Sequence, residues 1–313
     1  LESRHGSLGK IKSFSEENMI QKNIPLAPYT SWLVGGAAEY FSLPVTLEEV
    51  IQAQAWALQQ KIPVTILGGG SNVLISDRGI QGLTICLKKF SGITTASVDG
   101  NLKITALAGT AKSELLKVFL KNKLAPALFL AGLPGDVGGG VVMNAGVSEN
   151  FLPREFVEIT EWIEVLKPDG KIERLDANQI QWRYRHSEGW QPGIIVRVGI
   201  SWPQKEDTTI LDQVKNANKI RLSKQPLDMP SCGSVFVNPV GHKAAQLIDT
   251  CGLKGFRIGG AQVSQKHANF IVNTGNATAD QIWQVIEHVK KTVLEQKSVA
   301  LITEVIRLGA WEV

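Results

Sequence analysis

Two hydrophobic periods alternate along this chain. From Leu43 to Gln60 the apolar positions recur at helical spacing, and Thr46 followed three residues later by Glu49 makes a capping box, which predicts an amphipathic helix. The run from Ile62 to Leu67 is short, β-branched and closed by Gly68-Gly69-Gly70, as a buried strand would be. Ile80 to Leu87 and Leu102 to Leu107 predict further strands, and Ser113 to Asn122 a helix with Lys117 and Lys121 on its polar face. Strand-like runs return at Val157 to Leu166, Ile172 to Arg174 and Gly193 to Trp202. Beyond them come helices at Thr208 to Lys224, Ala244 to Thr250 and Asp280 to Gln296, with short strands at Phe270 to Asn273 and Leu301 to Leu308. Such a mixture predicts α+β layers.

The polar run Pro203-Gln204-Lys205-Glu206-Asp207 reads as a linker. It places a boundary near residue 205, between a larger region at 21–204 and a smaller domain at 205–302, with 303–313 returning as a C-terminal strand. Residues 1–20 are expected to be a mobile segment. The opening Leu-Glu-Ser-Arg-His-Gly-Ser, without Met, has the look of a trimmed terminus.

At 313 residues the chain can bury two or three cores, and 43% apolar with 20% charged residues is ordinary for a globular protein. A net charge of +4, with no dense basic run, argues against nucleic acid or an anionic membrane as partner. The most apolar window, Leu124 to Val147, is broken by Pro126, Pro134, Asp136 and several glycines, so no membrane span is expected. No signal peptide is visible, and Cys86, Cys232 and Cys251 lack ligand spacing, which suits the cytoplasm. His5, His242 and His288 have no metal-like spacing, and no metal site is expected.

Two glycine loops carry the first chemical signal. Gly68, Gly69, Gly70, Ser71, Asn72 and Val73 follow a strand, so backbone N–H groups there can converge on a diphosphate, with Ser71 and Asn72 adding donors. Neither a Rossmann GxGxxG nor a P-loop lysine is present, and alone the triplet reads first as a tight turn. The second loop runs from Leu133 to Gly146 and includes Pro134, Gly135, Gly138, Gly139, Asn144 and Ala145. Five glycines with few bulky side chains leave backbone open to something flat or anionic. Two such loops suit a dinucleotide such as FAD. Downstream, Pro230 to Pro239 (PSCGSVFVNP) sets Ser234 in a glycine-flanked bend with Asn238 close behind, and Glu304 stands near the C-terminus.

In order and spacing these motifs, together with Thr30-Ser31-Trp32-Leu33-Val34-Gly35-Gly36, Tyr184-Arg185-His186-Ser187, Gly252 to Gly255 and Val263 to Asn273, resemble the UDP-N-acetylenolpyruvoylglucosamine reductases from Asn23 to about Gly309. The resemblance implies an FAD-binding region of the vanillyl-alcohol-oxidase type, made of two α+β subdomains, followed by an α+β substrate-binding domain. It implies two half-reactions: NADPH reduces non-covalent FAD, and hydride then passes to the vinyl ether of UDP-GlcNAc-enolpyruvate, giving UDP-N-acetylmuramate for peptidoglycan. A monomer acting on small molecules in the cytoplasm is the corresponding expectation. The alternative is an oxidase or dehydrogenase of the same superfamily acting on an alcohol or sugar; a non-catalytic UDP-sugar or flavin-binding module is a third reading.

By that resemblance Arg185, Ser234 and Glu304 are the catalytic residues. An arginine can bind a carboxylate through two hydrogen bonds and steady an enolate-like charge. Ser234 would protonate carbon, and Glu304 would assist in its protonated form, which requires a pKa raised by burial. Tyr184, Lys224, Asn238, His267 and Asn269 match substrate-binding positions. Val237, Ile306 and Leu33 stand where relatives carry basic residues, and Arg307 is one position out of register for a strand face. Between Ser187 and Pro203 there is no room for the tyrosine-bearing lid of one subgroup.

Overall fold

The computed structural model describes residues 19–147 and 152–311, so most of the expected mobile segment, residues 1–18, lies outside the described residues. Strand β1 (Gln21–Pro25) pairs antiparallel with β2 (Ala37–Ser42). Helix α1 (Leu47–Gln60) then crosses to β3 (Val64–Leu67). The predicted capping box is present: the Thr46 hydroxyl accepts from the Glu49 N–H and the Glu49 carboxylate accepts from the Thr46 N–H, both at 3.2 Å. The helix buries Val50, Ala53 and Ala57. After the short β4 (Val73–Ile75), β5 (Ile80–Cys86) inserts between β2 and β3, parallel to both. The sheet order is β1-β2-β5-β3.

A second, antiparallel sheet is ordered β6-β7-β12-β8-β9. It comprises β6 (Ile93–Val98), β7 (Asn101–Leu107), β8 (Thr160–Leu166), β9 (Ile172–Asp176) and the central β12 (Ile194–Pro203). Along β12 burial is nearly continuous over Ile194–Ile200, the pattern of a strand covered on both faces. Helices α2 (Lys112–Lys121), α3 (Pro126–Leu130) and α4 (Val137–Val142) join the same hydrophobic core, which also takes in Val50 and Leu83 of the first layer. A hairpin, β10 (Gln181–Arg183) and β11 (His186–Glu188), projects beside it.

Helix α5 (Ile210–Lys224) packs on α3 and buries Ile210 and Val214 in that first core, whereas the C-terminal part packs α6 (Ala244–Thr250) and the long α7 (Ala279–Lys297) around a meander of β13 (Arg257–Ile258), β14 (Ala261–Val263) and β15 (Ile271–Asn273). Its core includes Trp32, Val34 and Leu74 from the N-terminal part. The Trp32 indole N–H donates to Ile271 O at 2.7 Å, and the Asn273 amide returns a bond to Trp32 O at 2.9 Å. The Asp77 carboxylate accepts from the Ala279 and Asp280 N–H groups, each at 2.9 Å, at the start of α7. Finally β16 (Ile306–Leu308) pairs in parallel with β4.

Two sequence expectations are corrected. The second glycine loop contains a helix, α4, capped by Asp136, whose Oδ1 accepts from the Gly139 N–H at 2.6 Å. Glycine lowers helix propensity by about 1 kcal/mol per residue, but Val137 and Val141 are buried in the core, and the Phe156 ring fills the place of a Gly140 side chain. Packing therefore overrides propensity. The strand expected over Leu301 to Leu308 splits, because its pairing partner changes: Val237 N–H donates to Ile302 O and Glu304 N–H to Val235 O, whereas Ile306–Leu308 aligns with Val73–Ile75. The strands β1, β2, β13 and β14, helix α3 and the β10–β11 hairpin were not anticipated.

Candidate active site

One cleft of about 1710 Å³ is lined by both glycine loops, the hairpin tip, the Ser234 segment and Glu304. That exceeds the roughly 300–1,000 Å³ of ordinary small-molecule pockets and leaves room for a dinucleotide beside a second ligand.

The first loop owes its shape to missing side chains. Gly70 has φ +66°, and a Cβ there would collide with Tyr29 O; a Cβ on Gly69 would stand 2.9 Å from Gly135 Cα. The two loops thus meet backbone to backbone. Asp136 clasps them, Oδ1 taking Gly139 N–H and Oδ2 taking Gly69 N–H. Gly70→Ala is expected to lower stability by about 1–3 kcal/mol and to reduce bound flavin, read by thermal melting and by the flavin-to-protein absorbance ratio. An unchanged ratio and melt would contradict this description of the loop.

Gly68, Ser71, Asn72, Val73, Pro134, Gly138, Gly139, Ala145 and Gly146 also line the cleft. Gly135 and Asn144 do not line it. Asn144 is buried and its amide is fully engaged: it donates to Glu155 Oε2 at 3.0 Å and Arg183 O at 3.1 Å, and accepts from Val157 N–H at 3.1 Å. It anchors the base of the hairpin that carries Arg185. Asn72 likewise spends a donor on the protein, bonding Glu304 O at 2.9 Å.

Arg183 pairs with His186, so Tyr184 and Arg185 form the hairpin tip. Arg185 sits at φ +53°, a conformation that costs a non-glycine residue about 1–2 kcal/mol. Its guanidinium donates to Gly146 O at 2.9 Å and lies over the Tyr184 ring at 4.5 Å. Its Nε is 3.7 Å from Glu304 Oε1, and Nη1 is 4.0 Å from Glu155 Oε1. The Tyr184 hydroxyl donates to Glu304 Oε1 at 3.0 Å. Burial raises the Glu304 pKa above the ordinary carboxylate value, while Arg185 and the Tyr184 bond oppose it. Burial and the neighbouring Glu304 push the Tyr184 phenol up to about 12, so it stays a donor.

Ser234 lines the cleft, and its hydroxyl bonds no other described residue. Its segment is pinned on two sides. Asn269 is buried and grips Phe236 with both ends of its amide, at 2.9 and 2.8 Å, while Val235 O receives the Glu304 N–H at 2.8 Å. Asn269 therefore orders the Ser234 segment. Asn238 spends its side-chain oxygen on Ala244 N–H, at the start of α6. Lys224, Asn238, His267 and Asn269 all reach the cleft, as does Tyr184. Burial and the charge of Lys254 lower the His267 pKa, keeping that ring neutral.

Sequence reasoning missed Lys112 and Arg221, both in the cleft wall. The signal for Lys112 was present: it lies at helical spacing with the buried Leu115 and Phe119, so a lysine occupies an apolar face.

Both glycine loops fit FAD, since they line the cleft with backbone and pack on Tyr29 and on each other through glycines that leave no side chain in the way. The FAD binding domain family matches residues 38–176, which span the first loop, the second loop and α4. The chain is thus an FAD-dependent oxidoreductase by fold and site. The family described as UDP-N-acetylenolpyruvoylglucosamine reductase, C-terminal domain, matches residues 225–308. The UDP-N-acetylenolpyruvoylglucosamine reductase of Pediococcus pentosaceus is 39% identical over 295 residues, 94% of this chain and 95% of that protein. That of Caldanaerobacter subterraneus subsp. tengcongensis is 38% identical over 96% of this chain and 97% of its own. The crystal structure of the Thermus caldophilus enzyme superposes with a TM-score of 0.73 at 30% identity, over 92% of this chain and 98% of that one. The chain belongs to the UDP-N-acetylenolpyruvoylglucosamine reductase family.

Proposed function

We propose that this protein reduces UDP-GlcNAc-enolpyruvate to UDP-N-acetylmuramate, with NADPH as electron donor, as a step in making peptidoglycan precursors. The observation that carries the reading is the cluster at the cleft: Arg185 and Tyr184 on a hairpin tip meeting a Glu304 whose burial favours its protonated form. FAD held by the two glycine loops would supply the hydride-transfer chemistry between the nicotinamide and the vinyl carbon.

The other steps fall to the chain. Arg185 holds the enolpyruvyl carboxylate and stabilises the negative charge that spreads over it as hydride arrives. Its bond to Gly146 O and its stacking on Tyr184 fix the guanidinium in advance. Glu304, protonated, donates toward the same charge. Ser234 gives its proton to the carbon next to the carboxylate; its unengaged hydroxyl and pinned backbone suit that task. Lys224, Asn238 and His267 line the remaining cleft and are assigned to the UDP part. In this reading residues 21–204 hold the flavin, 205–302 hold the substrate, and 303–313 bring Glu304 back between them. The separate core around α7 supports the division, with α5 joining the flavin side through Ile210 and Val214. The protein acts as a monomer in the cytoplasm, where NADPH and UDP-sugars are found.

A pH prediction follows from the hydrogen bond to Glu304. Tyr184 donates to the carboxylate and so favours its charged form. Tyr184→Phe removes that donor, raises the Glu304 pKa further, and should move the alkaline limb of the substrate-reduction profile to higher pH. A limb that stays in place, or moves down, would remove Glu304 protonation from the mechanism.

The function is tested by incubating the flavin-loaded protein with NADPH and UDP-GlcNAc-enolpyruvate without oxygen and weighing the product by mass spectrometry. A product heavier by one dihydrogen is expected. Unreacted enolpyruvate with NADPH spared would overturn the proposal.

A further inference from the structure

We propose that Lys112 is a cofactor-positioning residue, whose ammonium offsets the carboxylate clasping the two glycine loops and meets the diphosphate of FAD beside Ser71. This rests on the FAD reading of the cleft.

The Asp136 clasp creates the need. In a glycine-rich cradle, backbone N–H groups are the natural phosphate donors. Here Asp136 already accepts from two of them, Gly69 and Gly139, one from each loop. The carboxylate rigidifies the cradle but brings a negative charge to the place where a diphosphate must lie. Another group has to restore attraction.

Lys112 is placed to do so. It is only 4% exposed, at the first turn of α2, yet it lines the cleft. Its ammonium donates to Pro134 O at 2.8 Å and lies 5.5 Å from the centre of the Phe156 ring. One of three N–H groups is thereby used, and no other described residue accepts from the rest. A buried ammonium left with spare donors is costly unless a partner arrives.

Lys112 and Ser71, both in the cleft wall, mark where that partner lies. A Cβ built on Gly135 would stand 2.5 Å from Ser71 Oγ and 3.7 Å from Lys112 Nζ. The missing side chain of Gly135, which does not itself line the cleft, thus lets a hydroxyl from the first loop and an ammonium from α2 stand close together in the cleft wall. Ser71 Oγ bonds no other described residue. Two unsatisfied donors, one cationic, close together in a cleft wall are the chemistry that receives phosphoryl oxygens.

Burial also makes the lysine titratable. It lowers the Lys112 pKa to about 8, with Asp136 pulling it up and Arg185 pushing it down. Cys86, at the end of β5 near Asp136, has its thiol pushed up by burial and stays neutral in this range. An anion bound to the ammonium favours its protonated form. FAD affinity should therefore be full below pH 8 and fall as the pH rises past it, by up to about tenfold per pH unit until the raised pKa of the complex is reached.

The test strips flavin from the protein and titrates FAD back at pH 7 and pH 9, following flavin fluorescence, with thermal melting as a check on folding. Wild type should bind FAD several-fold to about tenfold more weakly at pH 9. K112M should bind at least about tenfold more weakly at pH 7 and lose the pH dependence. K112R, which keeps its charge throughout, should bind at both pH values alike. Should K112M fail to melt cooperatively, wild type and K112R decide on the same readings. A wild-type affinity equal at both pH values, or a K112M variant that keeps the full pH dependence, overturns the assignment of Lys112 alone. No flavin binding at pH 7 overturns the FAD reading and this inference with it.

Discussion

Ser234→Ala is expected to leave NADPH-driven bleaching of the flavin unchanged and to slow the recovery of colour with UDP-GlcNAc-enolpyruvate by at least about a hundredfold, the scale of losing one positioned donor. The two half-reactions separate because the first needs no proton delivered to the carbon of the sugar substrate. The second does, and the serine hydroxyl faces the cleft with no protein acceptor competing for its proton. Folding should be spared, since the segment is held by backbone bonds from Val235 and Phe236 to Asn269, not by the hydroxyl. Rapid-mixing absorbance on each half-reaction checks this, and full-speed colour recovery would take Ser234 out of the mechanism.

Arg185→Lys should also be severe, although it keeps the charge. The guanidinium already donates to Gly146 O and stacks on Tyr184, and it approaches Glu304 through Nε. A planar fork can hold Gly146 O and still present N–H groups to a carboxylate; a single ammonium cannot do both. Losing a charge-assisted bond of about 1.5–3 kcal/mol implies a fall of about ten- to a hundredfold in the rate of substrate reduction. Because the stabilised charge grows only as hydride arrives, kcat should fall more than KM rises. Steady-state kinetics with UDP-GlcNAc-enolpyruvate varied at saturating NADPH would show this. An effect confined to KM would make Arg185 a ground-state binder only.

The parts of the fold visible in the sequence are those set by local rules. The capping box at Thr46 and Glu49 fixed the start of α1, and α6 begins and ends at the residues its pattern predicts. Helix α4 was hidden because glycines that weaken a helix locally are required by Phe156 and by the neighbouring loop. The break in the last strand was hidden for another reason. It depends on two partners, near Val235 and near Val73, that are distant in sequence.

The site was legible to a different degree. Short motifs pointed to Arg185, Ser234 and Glu304, and the structure places all three on one cleft. Their supports were not legible: Asn144 under the hairpin, Asn269 under Ser234 and Asn72 behind Glu304 act through backbone contacts across long sequence separations. Lys112 was overlooked because a lysine near a helix start reads as solvated, although its spacing set it on the buried face.

The decisive measurement is anaerobic double mixing of the purified flavoprotein. It would be reduced with one equivalent of NADPH and then mixed with UDP-GlcNAc-enolpyruvate while flavin absorbance is followed. Colour that returns without oxygen, with formation of UDP-N-acetylmuramate, is the result expected of a reductase built on Arg185, Ser234 and Glu304. Colour that returns only when oxygen is admitted, with no response to the enolpyruvate, would contradict it and mark the protein as an oxidase.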